Sequence, residues 1–375
     1  MVKAVSFFSG AGGLDIGLSQ AGIDIKLSVE IDKGYCETLK YNYPSWNVQQ
    51  GDIMNYDKNK IYEEANLTEN EDLDLIVGGS PCQSFSTAGK RTAFSDSRGA
   101  AMVKFSELVS EVKPKMFLLE NVRGLLSAAL IHRPLNKRGK EFPELDDKEK
   151  RGSALSFLLS YFKDYNVEYK TLNAADYGVP QKRERVFFVG IRKDLKKIFS
   201  FPEPTHKEKV EPGSNKEEWN SVFNILKLSS KINNQQYVNY SAERLKYMRM
   251  IPQGGGNWRD LKVYGEHFVK EAMGGAYYSG GGKVGFFRRI KSSAPSPTLL
   301  TSPAQKSTNL GHPYEDRPLS VEEYLMIQQF PSGFEVLGTI QQKYIQIGNA
   351  VPVGLAEVLG KQLLSFLNKY KEVEV

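Results

Sequence analysis

The sequence predicts an α/β fold, a parallel or mostly parallel sheet with helices on both faces, joined by a smaller, loop-rich second lobe. Over the first 200 residues, short apolar runs alternate with helix-like amphipathic stretches, the pattern of successive βαβ units. Beyond residue 200 that alternation stops, and proline, glycine and aromatic residues dominate, as in FPEPT, GGGN (254–257), MGGAYYSGGGKVG (273–285) and SSAPSPTLL (292–300). At 375 residues and 40% hydrophobic content, the chain can bury one large core and a second small one.

The strands follow in order. VSFF (5–8) and IKLSVE (25–30) come first, then a third strand ending at GDI (51–53), and then LDLIV (73–77), KMFLLE (115–120), VEYKTL (167–172) and VFFVGI (186–191). Each is a short apolar run of strand length. The charged insert HRPLNKRGKEFPELDDKEKRG (132–152) reads as a surface excursion. Helical periodicity resumes at LSVEEYLMIQQF (319–330) and VGLAEVLGKQLLSFLNKY (353–370). The expected division is therefore a catalytic and cofactor-binding domain over 1–200, a second domain over 201–316, and a C-terminal segment, 317–375, that returns to the first.

No run of about 18 apolar residues is evident, and the start MVKAVSFFSGAGG lacks a secretory h-region, which points to a cytoplasmic protein. Two cysteines exclude a disulfide framework, and Cys36, inside the predicted helix DKGYCETLKYNY, reads as structural. Four histidines lie far apart without CxxC or HxxxH spacing, so no metal site is expected. The net charge of +6 is unevenly spread: residues 201–316 hold 16 Lys+Arg against 11 Asp+Glu. That surface is either simply solvated or a face for a polyanion, whose counterions are released on binding.

FFSGAGGLDIGL (7–18) is a strand, a glycine turn and a helix start. Glycines allow close backbone approach to a ligand. A dinucleotide fingerprint counted from Gly10 and Gly12 needs its third glycine where Asp15 stands, so a nicotinamide cofactor fits poorly. Glu30, ending the second strand in VEID, can accept both hydroxyls of a ribose, and Asp52 in GDI can accept from an adenine amino group. An adenosine ligand without a phosphate cradle is the signature of S-adenosylmethionine.

The loop GGSPCQSFS (78–86) places Cys82 after a buried strand and before small, polar and basic residues, unlike a cysteine in an apolar core. With it, the blocks FSGAGG, VEID, GDI, GGSPCQSFSTAGKR, ENVRG, QKRERVFFVGIR, RPLSVEEYLMIQQFP and QIGNAVPVG stand in the order and approximate spacing found in cytosine-5 DNA methyltransferases. The chain resembles a bacterial or phage modification enzyme of that family, from Phe7 to about Arg192 and from Arg317 onward. The middle lies where the family keeps its variable target-recognition region.

The resemblance implies a Rossmann-like S-adenosylmethionine-dependent methyltransferase sheet and methyl transfer to carbon 5 of a flipped cytosine in duplex DNA, leaving S-adenosylhomocysteine. Carbon 5 is a poor nucleophile until a thiolate adds at carbon 6, which makes it enamine-like, and Cys82 is the suitable thiol. The attack loads ring nitrogen 3 with charge, and Glu120 can supply a proton there if burial keeps it protonated. Arg183 and Arg185 in QKRER alternate and are expected to share a face. By resemblance Arg185 contacts the cytosine carbonyl oxygen and Arg183 steadies the Cys82 environment.

The same resemblance places Phe8, Gly10, Gly12, Gly13, Leu14, Glu30, Ile31, Asp52, Ile53, Pro81, Asn349 and Ala350 around the cofactor, although Ile31 stands where an aromatic is common. DNA contacts are expected from Ser86, Arg91 and Arg98 in the loop after Cys82, and from Arg259, Arg288 and Arg289 in WRD and GFFRRIK. The implied partner is double-stranded DNA, with a functionally paired restriction endonuclease that forms no stable complex, no membrane, and a monomeric state. Two rivals stand beside this reading. An RNA methyltransferase of the same family usually has a shorter recognition region, and a DNA-binding scaffold on an inactive fold would not need Cys82, Glu120 and Arg185 together.

Overall fold

A computed structural model of the protein describes residues 1–69, 71–80, 97–279 and 283–371. The chain divides into two compact units. The first comprises Met1–Asn173, Glu184–Glu203 and Ala356–Val375, the second Ala174–Arg183 and Pro204–Leu355. This division differs from the one read from the sequence: residues 317–355 group with the second unit, and so does the short excursion 174–183.

In the first unit, strands β1 (Val2–Phe7), β2 (Ile23–Glu30), β3 (Val48–Gln50), β4 (Leu75–Gly79), β5 (Met116–Asn121), β6 (Tyr165–Asn173) and β8 (Glu184–Arg192) form one seven-stranded sheet in the order β3-β2-β1-β4-β5-β8-β6. β7 (Gln181–Lys182) belongs to the excursion in the second unit, where it pairs with Ser296–Pro297. β1 to β5 run parallel, and β8 runs antiparallel to both its neighbours. The sheet is thus mostly parallel. β5 is buried at all six positions, as a strand covered on both faces must be.

Helices α1 (Gly13–Gln20), α2 (Lys33–Asn42), α3 (Lys58–Glu64), α4 (Ser97–Val112) and α5 (Ser153–Leu159) connect these strands. Local chemistry fixes their starts: Asp32 accepts from the amides of Gly34 and Tyr35 to cap α2, and Asp57 accepts from Lys60 to cap α3. One core joins β1, β2, β4 and β5 to α4 and α5, with Phe105, Met102 and Leu158 fully buried and Phe117 stacked on Phe162 at 4.2 Å.

The second unit carries α6 (Phe223–Ser229), α7 (Ala242–Met250), α8 (Glu266–Met273), α9 (Val321–Ile327) and α10 (Ile340–Asn349). α11 (Val353–Lys371) begins there and continues into the first unit, where Gly360 lets it approach Ala21 closely; a Cβ at Gly360 would lie 2.7 Å from the Ala21 Cβ. The second unit has its own core of Tyr247, Met248, Leu261, Val269 and Phe287. Glu323 is wholly buried in the first turn of α9, where it accepts from both terminal nitrogens of Arg317 at 3.0 and 2.9 Å and from the Ser229 hydroxyl at 3.0 Å. Ile340–Asn368 is apolar and long enough on composition to cross a membrane, yet it is two helices with a break between them, and 56% of its most apolar stretch is buried in the fold.

Candidate active site

The sheet order places the first unit's chemistry at one end. The strands reverse their outward progression between β1 and β4, and in open α/β sheets ligands bind outside the carboxyl ends of the strands near such a point. Two features lie there: a cavity beside β1, β2 and β3, and a charged pair beside β4 and β5.

The cavity has a volume of about 480 Å³, within the range of small-molecule sites. Phe7, Phe8, Val29, Ile31, Ile53, Met54, Ala100 and Ala101 give it apolar walls, and Gly51 and Asp52 complete the lining. Phe8 enters it from a backbone at φ +59°, a left-handed conformation rare for a bulky residue. Asp52 caps the short turn that follows by accepting from Met54 N–H at 3.0 Å, which leaves its second carboxylate oxygen for a ligand.

Glu30, between the lining residues Val29 and Ile31, is buried and accepts from the amides of Gly10 at 2.8 Å and Asp32 at 2.9 Å. Burial pushes its carboxyl up from the ordinary range, and these amide donors pull against that shift. Two further lone-pair directions remain for ribose hydroxyls. Gly10 has a positive φ and no protein atom closer than 4.0 Å to a would-be Cβ, so the backbone is open to a ligand at that turn. An apolar slot of this size with carboxylates at its edge fits an adenosyl group.

Not every residue expected around the cofactor lines this cavity. Gly12, at φ +85°, precedes α1, Gly13 begins it, and Leu14 is buried in it without reaching the cavity lining. Ile31 is 62% exposed at the cavity mouth. Asn349 and Ala350 close α10 in the second unit, and Pro81 lies outside the described residues.

The charged pair rests on strand register. Gly79, the last residue of β4, stands opposite Glu120 on β5, which fixes Glu120 beside the strand that leads three residues later to Cys82. Glu120 is buried, and its Oε1 is 3.0 Å from Arg185 Nε on β8. Cys82 itself lies outside the described residues, as do Ser86 and Arg91, while Arg98 falls in the first turn of α4 with its side chain outside them.

Asn121, a residue the sequence did not single out, is fully buried and donates to Ser80 Oγ at 2.8 Å. It pins the chain two residues before Cys82. Its place inside ENV was the available signal.

β7 ends at Lys182 and β8 begins at Glu184, so Arg183 stands between the two strands. The amide of Ala174 bonds its carbonyl, and its guanidinium donates to the carbonyls of Leu299 at 3.2 Å and Gly348 at 2.9 Å in the second unit. It fixes that unit's own backbone. Arg289 also departs from expectation. It is 2% exposed and donates to the carbonyls of Ile251, Met248, His312 and Glu315 and to the Asp316 carboxylate, so no donor is left for a base edge.

Arg288 is half-buried, its Nε has no hydrogen-bond partner among the described residues, and burial lowers its guanidinium pKa. Arg259 is exposed and lies over the Trp258 ring at 5.0 Å. Among the described residues no cluster of three or more His, Cys, Asp or Glu is arranged to hold a metal ion. Cys36 is buried against Glu30, and burial pushes its thiol up to about 11.

A seven-stranded α/β sheet with a cavity at the switch point and a buried carboxylate–guanidinium pair beside it defines an α/β protein with a small-molecule site at the carboxyl ends of its strands. The chain belongs to the C-5 cytosine-specific DNA methylase family, whose model matches residues 2–365. It is 40% identical over 367 residues to Type II methyltransferase M.Sau96I of Staphylococcus aureus, covering 97% of this chain and 76% of that protein. Type II methyltransferase M.PspPI of a Psychrobacter species is 38% identical, with 97% and 79% covered. A protein encoded within an Escherichia coli prophage shares the fold, with a TM-score of 0.64 at 24% identity over 98% of this chain and 100% of the other. The chain is accordingly a DNA (cytosine-5-)-methyltransferase, and its methyl donor is S-adenosylmethionine.

Proposed function

We propose that the protein is the modification enzyme of a restriction-modification pair, methylating carbon 5 of one flipped cytosine within a short duplex sequence in the cytoplasm of a bacterium. The names of its relatives support the pairing. The observation that carries the catalytic assignment is the β4–β5 register, which sets Glu120 beside the strand leading to Cys82 and bonds it to Arg185.

In this reading the Cys82 thiolate adds to carbon 6 of the extruded base. Glu120 holds a proton at ring nitrogen 3 as electron density arrives there, and Arg185 donates to the carbonyl oxygen, so the ion pair of the free protein opens to receive the base. Phe8, Ile31 and Ile53 would hold S-adenosylmethionine in the cavity, where its sulfonium would offer an electrophilic methyl group to carbon 5. The carbon 5 proton passes to solvent, the nitrogen 3 proton returns to the Glu120 carboxylate, and departure of the Cys82 thiolate restores the ring. No step calls on a metal ion.

Sequence choice rests with the second unit, where Arg259 and Arg288 are the base-reading candidates, assisted by Ser86, Arg91 and Arg98 along the phosphates. Arg289 leaves that set because its donors are occupied. Bisulfite sequencing of plasmid DNA from a host expressing the protein tests the reading. Protected cytosines at one recurring short sequence are expected, and their loss with Glu120→Gln; an unmodified plasmid, or full modification by Glu120→Gln, overturns it.

A further inference from the structure

Asp15 takes no part in the chemistry above, yet it is a carboxylate with no solvent exposure in the first turn of α1. Its Oδ1 accepts from the Ser6 hydroxyl at 2.5 Å and its Oδ2 from the Ser28 hydroxyl at 2.9 Å. Ser6 and Ser28 are register partners on the parallel strands β1 and β2, so one side chain ties the start of α1 to both. Burial pushes the Asp15 carboxyl up, and the seryl donors oppose that shift. Packing alone does not call for a carboxylate here, because an apolar side chain fills such a site without desolvating an ionisable group.

Between the two strands' ends and α1 lies the turn whose first residue, Phe8, walls the cavity. Three of its residues, Phe8, Gly10 and Gly12, have positive φ, at +59°, +55° and +85°. Such a backbone persists where its surroundings over-determine it. The Gly12 amide bonds Ser9 O at 2.8 Å, the Ser9 amide bonds Val29 O at 3.3 Å, and Glu30 holds the Gly10 amide. The Ser9 hydroxyl reaches Ser6 Oγ at 3.4 Å, which joins the turn to the Asp15 cluster. Glu30 thus holds the middle of the turn, and Asp15 anchors the helix into which it runs.

We propose that Asp15 is a positioning residue for S-adenosylmethionine, fixing the Phe8–Gly12 turn in the form that shapes the cavity; the inference rests on that cavity being the cofactor site. It acts through Ser6 and Ser28 and touches no ligand.

Calorimetric titration of the full chain with S-adenosylhomocysteine, alongside steady-state methyl transfer, tests this on the wild type, Asp15→Leu, Asp15→Asn and Ser28→Ala. Asp15→Leu should weaken S-adenosylhomocysteine and raise KM for S-adenosylmethionine by roughly 10- to 100-fold, the scale of a displaced positioning group. Its kcat at saturating cofactor and its DNA affinity should stay within about threefold, and Asp15→Asn, which keeps an acceptor, should recover most of the loss. A folded Asp15→Leu with wild-type cofactor affinity overturns the proposal, as does an equal loss in cofactor and DNA binding. If Asp15→Leu does not fold, Ser28→Ala decides: it should raise the cofactor Kd about three- to tenfold, and an unchanged Kd overturns the proposal. A wild-type protein that does not bind S-adenosylhomocysteine fails at the earlier step, the cofactor reading itself.

Discussion

Replacing Arg289 by methionine keeps an unbranched stem as far as the Nε position and removes its five N–H donors. The four carbonyls of Ile251, Met248, His312 and Glu315 then lose their buried donor. At about 1 kcal/mol for each such loss, the variant is destabilised by roughly 4 kcal/mol, in line with about 3–5 kcal/mol for breaking a buried charged contact. Asp316 adds little, because its side chain is 40% exposed and water replaces the guanidinium. For a unit of this size the melting temperature should fall by about 8–16 °C. Thermal unfolding and DNA binding to a panel of single-base variants of the cognate site, both on Arg289→Met, measure the two roles separately. A large stability loss with unaltered ranking of sites is expected. An unchanged melting temperature with relaxed preference at one base pair would show Arg289 to be a reader and refute the structural assignment.

Other outcomes follow from the same geometry. Gly12→Ala places a Cβ at φ +85° and 2.5 Å from the Leu39 side chain, so it should cost about 1–3 kcal/mol, read by denaturant unfolding; a neutral result would mean the turn adapts. Burial raises the Asp15 carboxyl in the fold, so the unfolded chain releases that proton first and the stability contributed by this one group declines from about pH 3.8 upward through the folded value. The melting temperature of Asp15→Asn should therefore gain on the wild type as pH rises through that window; a difference constant with pH contradicts the shift. Exchanging the second unit for that of a relative with another target should transfer the target, and an active chimera that keeps the original sequence would place recognition elsewhere.

Much of the first unit was legible because its strands are short apolar runs bounded by turn residues, and VSFF, IKLSVE, LDLIV, KMFLLE, VEYKTL and VFFVGI all lie in the central sheet. Strand direction was not legible. The run VFFVGI reads the same either way, and only pairing with Met116–Asn121 and Tyr165–Asn173 shows β8 to be reversed. Asp15 looked like a failed glycine because its partners, Ser6 and Ser28, meet only across a strand pair. Arg288 and Arg289 are adjacent in sequence and differ in burial, a distinction no local pattern carries in a segment without helical or strand periodicity. The chain rejoins the first unit at Ala356 rather than at 317, a difference of the same kind. α9 is capped and amphipathic wherever it packs, but the buried Arg317–Glu323–Ser229 cluster ties it to the second unit.

The central claim is that Cys82 forms a covalent bond to cytosine. Incubating the protein with S-adenosylmethionine and cognate duplex carrying 5-fluorocytosine at the target tests it most directly, since fluorine does not leave carbon 5 as a proton does. The reading predicts a protein–DNA adduct stable to denaturing electrophoresis that maps by peptide mass to Cys82 and is absent in Cys82→Ser. An active enzyme that forms no adduct, or an adduct that maps to another residue, contradicts it.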